Sequence, residues 1–127
     1  MVNNFDMSAM RVLNIALLLM MLAFMAVQYN DPDGLAWMLI YAVPAVWAAV
    51  AAFSNAVLGQ RLVNTLLLVS MFAAAVGVLY FWPRTPGWWQ QEVWWEVESA
   101  REGMGLMIVL AVLLVAWLSR PRAKPPV

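Results

Sequence analysis

An all-α bundle of four transmembrane helices embedded in a membrane is the fold this sequence predicts, and three observations predict it. Hydrophobic residues make up 65% of the 127 and charged residues only 11%, and the mean hydropathy is +0.79. Soluble domains lie near half apolar and a quarter charged, so this balance belongs to lipid rather than water. Four apolar stretches recur, at about 9–29, 35–53, 62–82 and 103–119. A helix of ~20 residues, rising 1.5 Å per residue, crosses a hydrocarbon core of ~30 Å. The polar residues collect between these stretches, and the length suits a single membrane domain over 1–127.

The first span follows a short polar lead, Met1 to Asp6. Arg11 before an apolar run imitates a signal peptide, but no Ala-x-Ala site closes the run, so a true span is expected. Six methionines fall in the first 25 residues; flexible thioethers fill gaps between helices, and Cu(I) ligation is the rival reading. Gln28-Tyr29-Asn30-Asp31-Pro32-Asp33-Gly34 then forms a polar loop. In Pro32-Asp33-Gly34 the proline presets φ, the aspartate can bond the backbone ahead of it and the glycine tolerates positive φ, which together predict a turn.

The second span carries no charge. Pro44 should kink it or be accommodated by its neighbours, and the alanines at 45, 48, 49 and 52 would admit a close helix. Ser54 to Arg61 is a short connection with Asn55 and Gly59 as breakers. In the third span Ala73 and Gly77 form a small-xxx-small pair, and Asn14, Asn64, Thr65 and Ser70 are expected to hydrogen-bond between helices. The connection 83–102 holds Trp88, Trp89, Trp94 and Trp95 among interleaved glutamates. Indole rings favour the headgroup zone, so an interfacial, tryptophan-anchored segment is expected before the fourth span. The fourth span is short unless its helix begins near Glu98.

Basic residues set the orientation. Arg11, Arg61, Arg120, Arg122 and Lys124 fall at one end and Arg84 and Arg101 at the other, which predicts both termini in the cytoplasm of a plasma or bacterial inner membrane. Loops 30–34 and 83–102 then share the outer face, and six of the seven acids go with them. Alternating helices would bring Asn30, Asp31 and Asp33 to Glu98, Arg101 and Glu102, a cluster able to hold a ligand or to pair within itself.

Two readings of that cluster compete. In one, Asp33 caps the second span, Asn30 and Asp31 close the turn, and the glutamates complement the dipole of the fourth helix. In the other, Asp31, Asp33, Glu98 and Glu102 supply oxygen ligands for a divalent cation such as Ca²⁺, Mg²⁺ or Mn²⁺. Haem or zinc held by His or Cys is not expected, because the chain has neither residue. Zero net charge gives no attraction to nucleic acid. The expected partners are the lipid bilayer and a larger membrane complex or a second copy of the chain.

The blocks Gln28-Tyr29-Asn30-Asp31-Pro32-Asp33 with Trp37 and Tyr41, and Glu98, Arg101-Glu102 with Gly105-Leu106, resemble the transmembrane protein 220 family. The resemblance implies a small multi-span membrane protein and brings no ligand or catalytic residue with it. On function, the residues favour a non-enzymatic interaction or accessory subunit whose outer polar site binds a cation, a lipid headgroup or a partner. The alternative is a metal-assisted membrane enzyme that uses the same carboxylates on a lipid-like substrate.

Overall fold

The computed structural model describes residues 4–81, 86–87, 90, 92 and 98–121, the side chains of 4–7 and 98–100 excepted. Its long elements are α1 (Asn4–Val27), α2 (Gly34–Phe53), α3 (Arg61–Phe81) and α4 (Glu98–Leu118). A single 3-10 turn over Asn55–Gly59 joins α2 to α3. Each long helix contains a stretch able to cross a membrane: Ser8–Val27, Gly34–Phe53, Arg61–Phe81 and Arg101–Leu118. The fold is therefore an all-α membrane bundle of four helices, with no strand among the described residues. α4 starts at Glu98, which supplies the turn that a start at 103 lacks.

α2 and α4 form the centre of the bundle. Within their spans 39% of residues are buried, against 11% in α1 and 17% in α3. α1 packs mainly on α2, α3 on α4, and α2 meets α4 between them. Small side chains make that central contact possible: Ala45, Ala48, Ala51 and Ala52 are buried on α2, opposite a core to which α4 gives Val109, Val112, Leu113 and Ala116. Ala49, which the sequence grouped with them, is only half-buried. Pro44 lies fully buried inside an unbroken α2, so neighbouring helices accommodate it.

The outer helices turn apolar stripes away from this core. Leu62, Leu66, Val69, Phe72, Val76 and Leu79 of α3 are exposed at helical spacing, as a lipid-facing surface requires. Ala73 is exposed with them while Ala74 is buried, so the expected Ala73–Gly77 pair is not one packing face. Gly77 has its own role: a Cβ there would lie 3.0 Å from Leu106 Cδ1 on α4. In α1, Met21 is fully buried and Met20 and Met25 pack against the core, the gap-filling use of methionine.

Polar side chains knot the helix ends opposite the first loop. Arg11 Nε donates to the Ala52 carbonyl at 3.0 Å, and Asn14 Nδ2 donates to Ser119 Oγ at 2.8 Å. Asn55 Nδ2 reaches the Ser119 carbonyl at 3.4 Å, and the Arg120 guanidinium donates to Asn64 Oδ1 at 3.3 Å while lying over the Trp117 ring. Trp47 Nε1 donates to Ser70 Oγ at 3.2 Å, linking α2 to α3. Asn14, Asn64 and Ser70 thus bond between helices as expected. Thr65 instead donates to the Arg61 carbonyl of its own helix.

The expected interfacial anchors Trp88, Trp89, Trp94 and Trp95 lie outside the described residues. Within that connection Gly87 adopts φ 67°, a left-handed conformation natural to glycine, and its carbonyl accepts from Gln90 N–H at 2.8 Å.

Candidate functional site: a polar cavity at the bundle rim

The first loop is built by tight hydrogen-bonded turns. Asp31 N–H bonds the Gln28 carbonyl at 3.1 Å and Gly34 N–H bonds the Asp31 carbonyl at 3.0 Å. Gly34 is required here for space rather than for φ. A Cβ at that position would collide with the Gln28 carbonyl oxygen, and among the described residues the positive-φ glycine is Gly87. The chain can reverse between α1 and α2 in so few residues because these two backbone segments touch.

Asp33 occupies the N-cap position of α2, yet its side chain makes no capping bond. Its Oδ2 accepts from the indole Nε1 of Trp37 at 3.1 Å. The capping reading of this side chain is therefore corrected. One helical turn on, the indole N–H competes for the carboxylate and gains a partner that a buried ring needs.

Asp33, Trp37 and Tyr41 follow one another at four-residue spacing and so share a face of α2. Their rings interlock with those of other helices. Trp37 packs on Tyr41 (centroids 6.0 Å apart) and on Phe81 of α3 (5.7 Å), and Phe24 of α1 meets Tyr41 edge-on at 5.3 Å. The Tyr41 hydroxyl comes against Gly105 of α4, where a Cβ would collide with it. Gly105 is what lets α4 close on this aromatic stack.

Above the stack lies a cavity of about 470 Å³ lined by Val27, Gln28, Asp31, Asp33, Trp37, Tyr41, Arg101 and Glu102. Asp31, Asp33 and Arg101 are exposed at its mouth, Glu102 is half-buried, and Trp37 and Tyr41 are 7% and 5% exposed at its floor. Tyr41 stands seven positions into α2, so the floor lies roughly 10 Å below the loop at 1.5 Å per residue. Three carboxylates share the cavity with one guanidinium, a formal excess of negative charge beside a low-dielectric slab.

Asp31, Asp33, Arg101 and Glu102 therefore meet across the length of the chain, as the alternation of helices predicts. Asn30 is exposed on the loop and does not line the cavity. The Glu98 backbone begins α4, while its side chain lies outside the described residues. Among the described residues no three metal-ligating side chains converge closely enough to hold an ion.

Trp37 and Tyr41 entered the sequence reading only through the family resemblance. Their four-residue spacing from Asp33 was the signal that could have placed them in the site.

Four spanning helices, a polar cavity at one end and a polar knot at the other define a small multi-span α-helical membrane protein. Residues 20–118 match the family model described as Transmembrane family 220, helix, and the chain belongs to that family. No curated protein and no solved structure matches it.

Proposed function

We propose that this chain is a non-enzymatic binding or accessory protein of the membrane, whose rim cavity receives a cationic group at the outer face. One observation carries the reading: two chain-distant acidic segments enclose one cavity in which carboxylates outnumber the guanidinium. A cation there gains attraction strengthened by the neighbouring apolar slab, and the protein offers oxygen acceptors but neither His nor Cys to it. The excess of basic residues on one side of the spans, Arg11, Arg61, Arg120, Arg122 and Lys124 against Arg84 and Arg101, supports cytoplasmic termini in a plasma or bacterial inner membrane, with the cavity facing outward. The exposed apolar stripe of α3, Leu62, Leu66, Val69, Phe72, Val76 and Leu79, leaves surface for a larger membrane complex or a second copy.

The test is thermal unfolding of the purified protein in mild detergent, titrated with Mg²⁺, Ca²⁺ and small alkylammonium salts at constant ionic strength. At least one cation should raise the unfolding midpoint of the wild-type chain and leave an Asp31→Asn, Glu102→Gln double variant unmoved. No cation-specific rise, or an equal rise in the double variant, would contradict the proposal.

A further inference from the structure

At the end of the bundle opposite the rim cavity, we infer a binding site for an anionic phospholipid. Arg61 and Arg120 hold its phosphate, and the outward face of α3 takes an acyl chain.

Two guanidiniums are drawn to one place there. Arg120 Nη1 donates to Asn64 Oδ1 at 3.3 Å and its Nε to the Trp117 carbonyl at 2.8 Å, with Cζ 3.9 Å from the Trp117 ring centroid. Asn64 stands one helical turn past Arg61 on α3. Both cations therefore border the seam between α3 and the end of α4.

Nothing described at that seam offsets their charge. The partners of Arg120 are neutral oxygens and a ring, and among the described residues no carboxylate pairs with Arg61 or Arg120. Six of the seven acids belong to the two segments at the other end, while Arg122 and Lys124 follow Arg120 in the sequence. Like charges beside a low-dielectric slab repel, and an anion between them replaces the repulsion with attraction. A guanidinium fork matches phosphate oxygens, and a bilayer sets phosphates at the depth of helix ends.

The surface above Arg61 argues for a lipid rather than a free anion. Arg61 is exposed at the head of an exposed apolar line. Leu68 and Phe72 return to its side of the helix after about two and three turns and are 44% and 72% exposed. They lie about 10 and 16 Å along α3 at 1.5 Å per residue, roughly the depth of one leaflet. A chain hanging from a phosphate at Arg61 runs along them, and a soluble phosphate has no use for them. Arg11 is the comparison. It carries the same charge at the same end, but its Nε bonds the Ala52 carbonyl of α2 at 3.0 Å.

The experiment measures lipid retention by native mass spectrometry, releasing the full chain from nanodiscs with equal parts phosphatidylglycerol and phosphatidylcholine. Each arginine beside an anionic headgroup is worth about a fivefold preference, so two should retain phosphatidylglycerol about 25-fold over phosphatidylcholine. Arg61→Gln should lower the preference about fivefold, Arg61→Lys should keep most of it, and Arg11→Gln should leave it nearly unchanged. Arg61 is exposed, so its variants keep the fold, which helical circular dichroism checks. In detergent at constant ionic strength, short-chain phosphatidylglycerol should raise the unfolding midpoint and glycerol 3-phosphate should not.

No preference for phosphatidylglycerol overturns the site. Equal losses in Arg61→Gln and Arg11→Gln also overturn it, since they mark a diffuse attraction to the whole basic end. Equal stabilisation by glycerol 3-phosphate overturns the assignment to a lipid. None of these results bears on the rim cavity, which is tested with cations.

Discussion

The hydroxyl of Tyr41 rests against Gly105, and the absence of a side chain at Gly105 is what allows α2 and α4 to meet beneath the rim cavity. Both residues serve the packing and the site at once. Tyr41 is pinned by Phe24 and Trp37 on one side and by the α4 backbone on the other, so the cavity floor cannot shift without parting the two central helices.

Gly105→Ala should therefore destabilise the protein by about 1–3 kcal/mol, the usual cost of forcing a group into a packed contact. Adding Tyr41→Phe removes the colliding oxygen and should recover part of that loss, giving a measurable coupling in a double-mutant cycle. Unfolding in detergent mixtures reads both. Additive losses would separate the two residues. Gly77→Ala provides a scale. Its added Cβ meets the flexible end of Leu106, so its cost should be less than about 1 kcal/mol.

Asp33 and Trp37 give a second cycle. Trp37→Phe and Asp33→Ala should each cost about 1 kcal/mol, because each deletes the same hydrogen bond at a partly exposed rim. The two losses should not add. If Asp33 acted as a helix cap, Asp33→Ala would cost the same with or without the indole.

At the opposite end of the bundle, Ser119→Ala removes one of the two acceptors of Asn14 Nδ2, leaving the Met10 carbonyl at 2.9 Å. Interhelical hydrogen bonds in membranes average ~0.6 kcal/mol and reach ~1.7. The upper part of that range is expected, since Asn14 is fully buried and its Oδ1 already lacks a partner among the described residues. Asn14→Leu replaces amide by apolar bulk and should cost less than Asn14→Ala, which leaves a hole as well. The same unfolding assay ranks the three.

Much of this architecture is legible in composition and spacing, because a bilayer imposes length and hydrophobicity on whatever spans it. The four helices and the meeting of Asp31 with Glu102 follow from alternating direction alone. The roles of Asp33 and Gly34 do not. Each is a standard turn residue, and only the placement of Trp37 and of the Gln28 carbonyl decides that one accepts an indole N–H and the other makes room. Gly77 was rightly a close-packing position, but its partner is Leu106 and not a face shared with Ala73. Ser119 escaped notice because a serine at a span end ordinarily faces water. Here it is 8% exposed and accepts from both Asn14 and Asn55.

The central claim is that segments far apart in the chain share one rim, and single-cysteine labelling tests it most directly. The chain has no native cysteine, so Asp31→Cys, Arg101→Cys and Arg120→Cys can each be made alone and exposed to a membrane-impermeant maleimide in sealed vesicles of known orientation. Asp31→Cys and Arg101→Cys should label from the outer side and Arg120→Cys only after the vesicles are opened. Labelling of Asp31→Cys and Arg101→Cys from opposite sides would contradict the account.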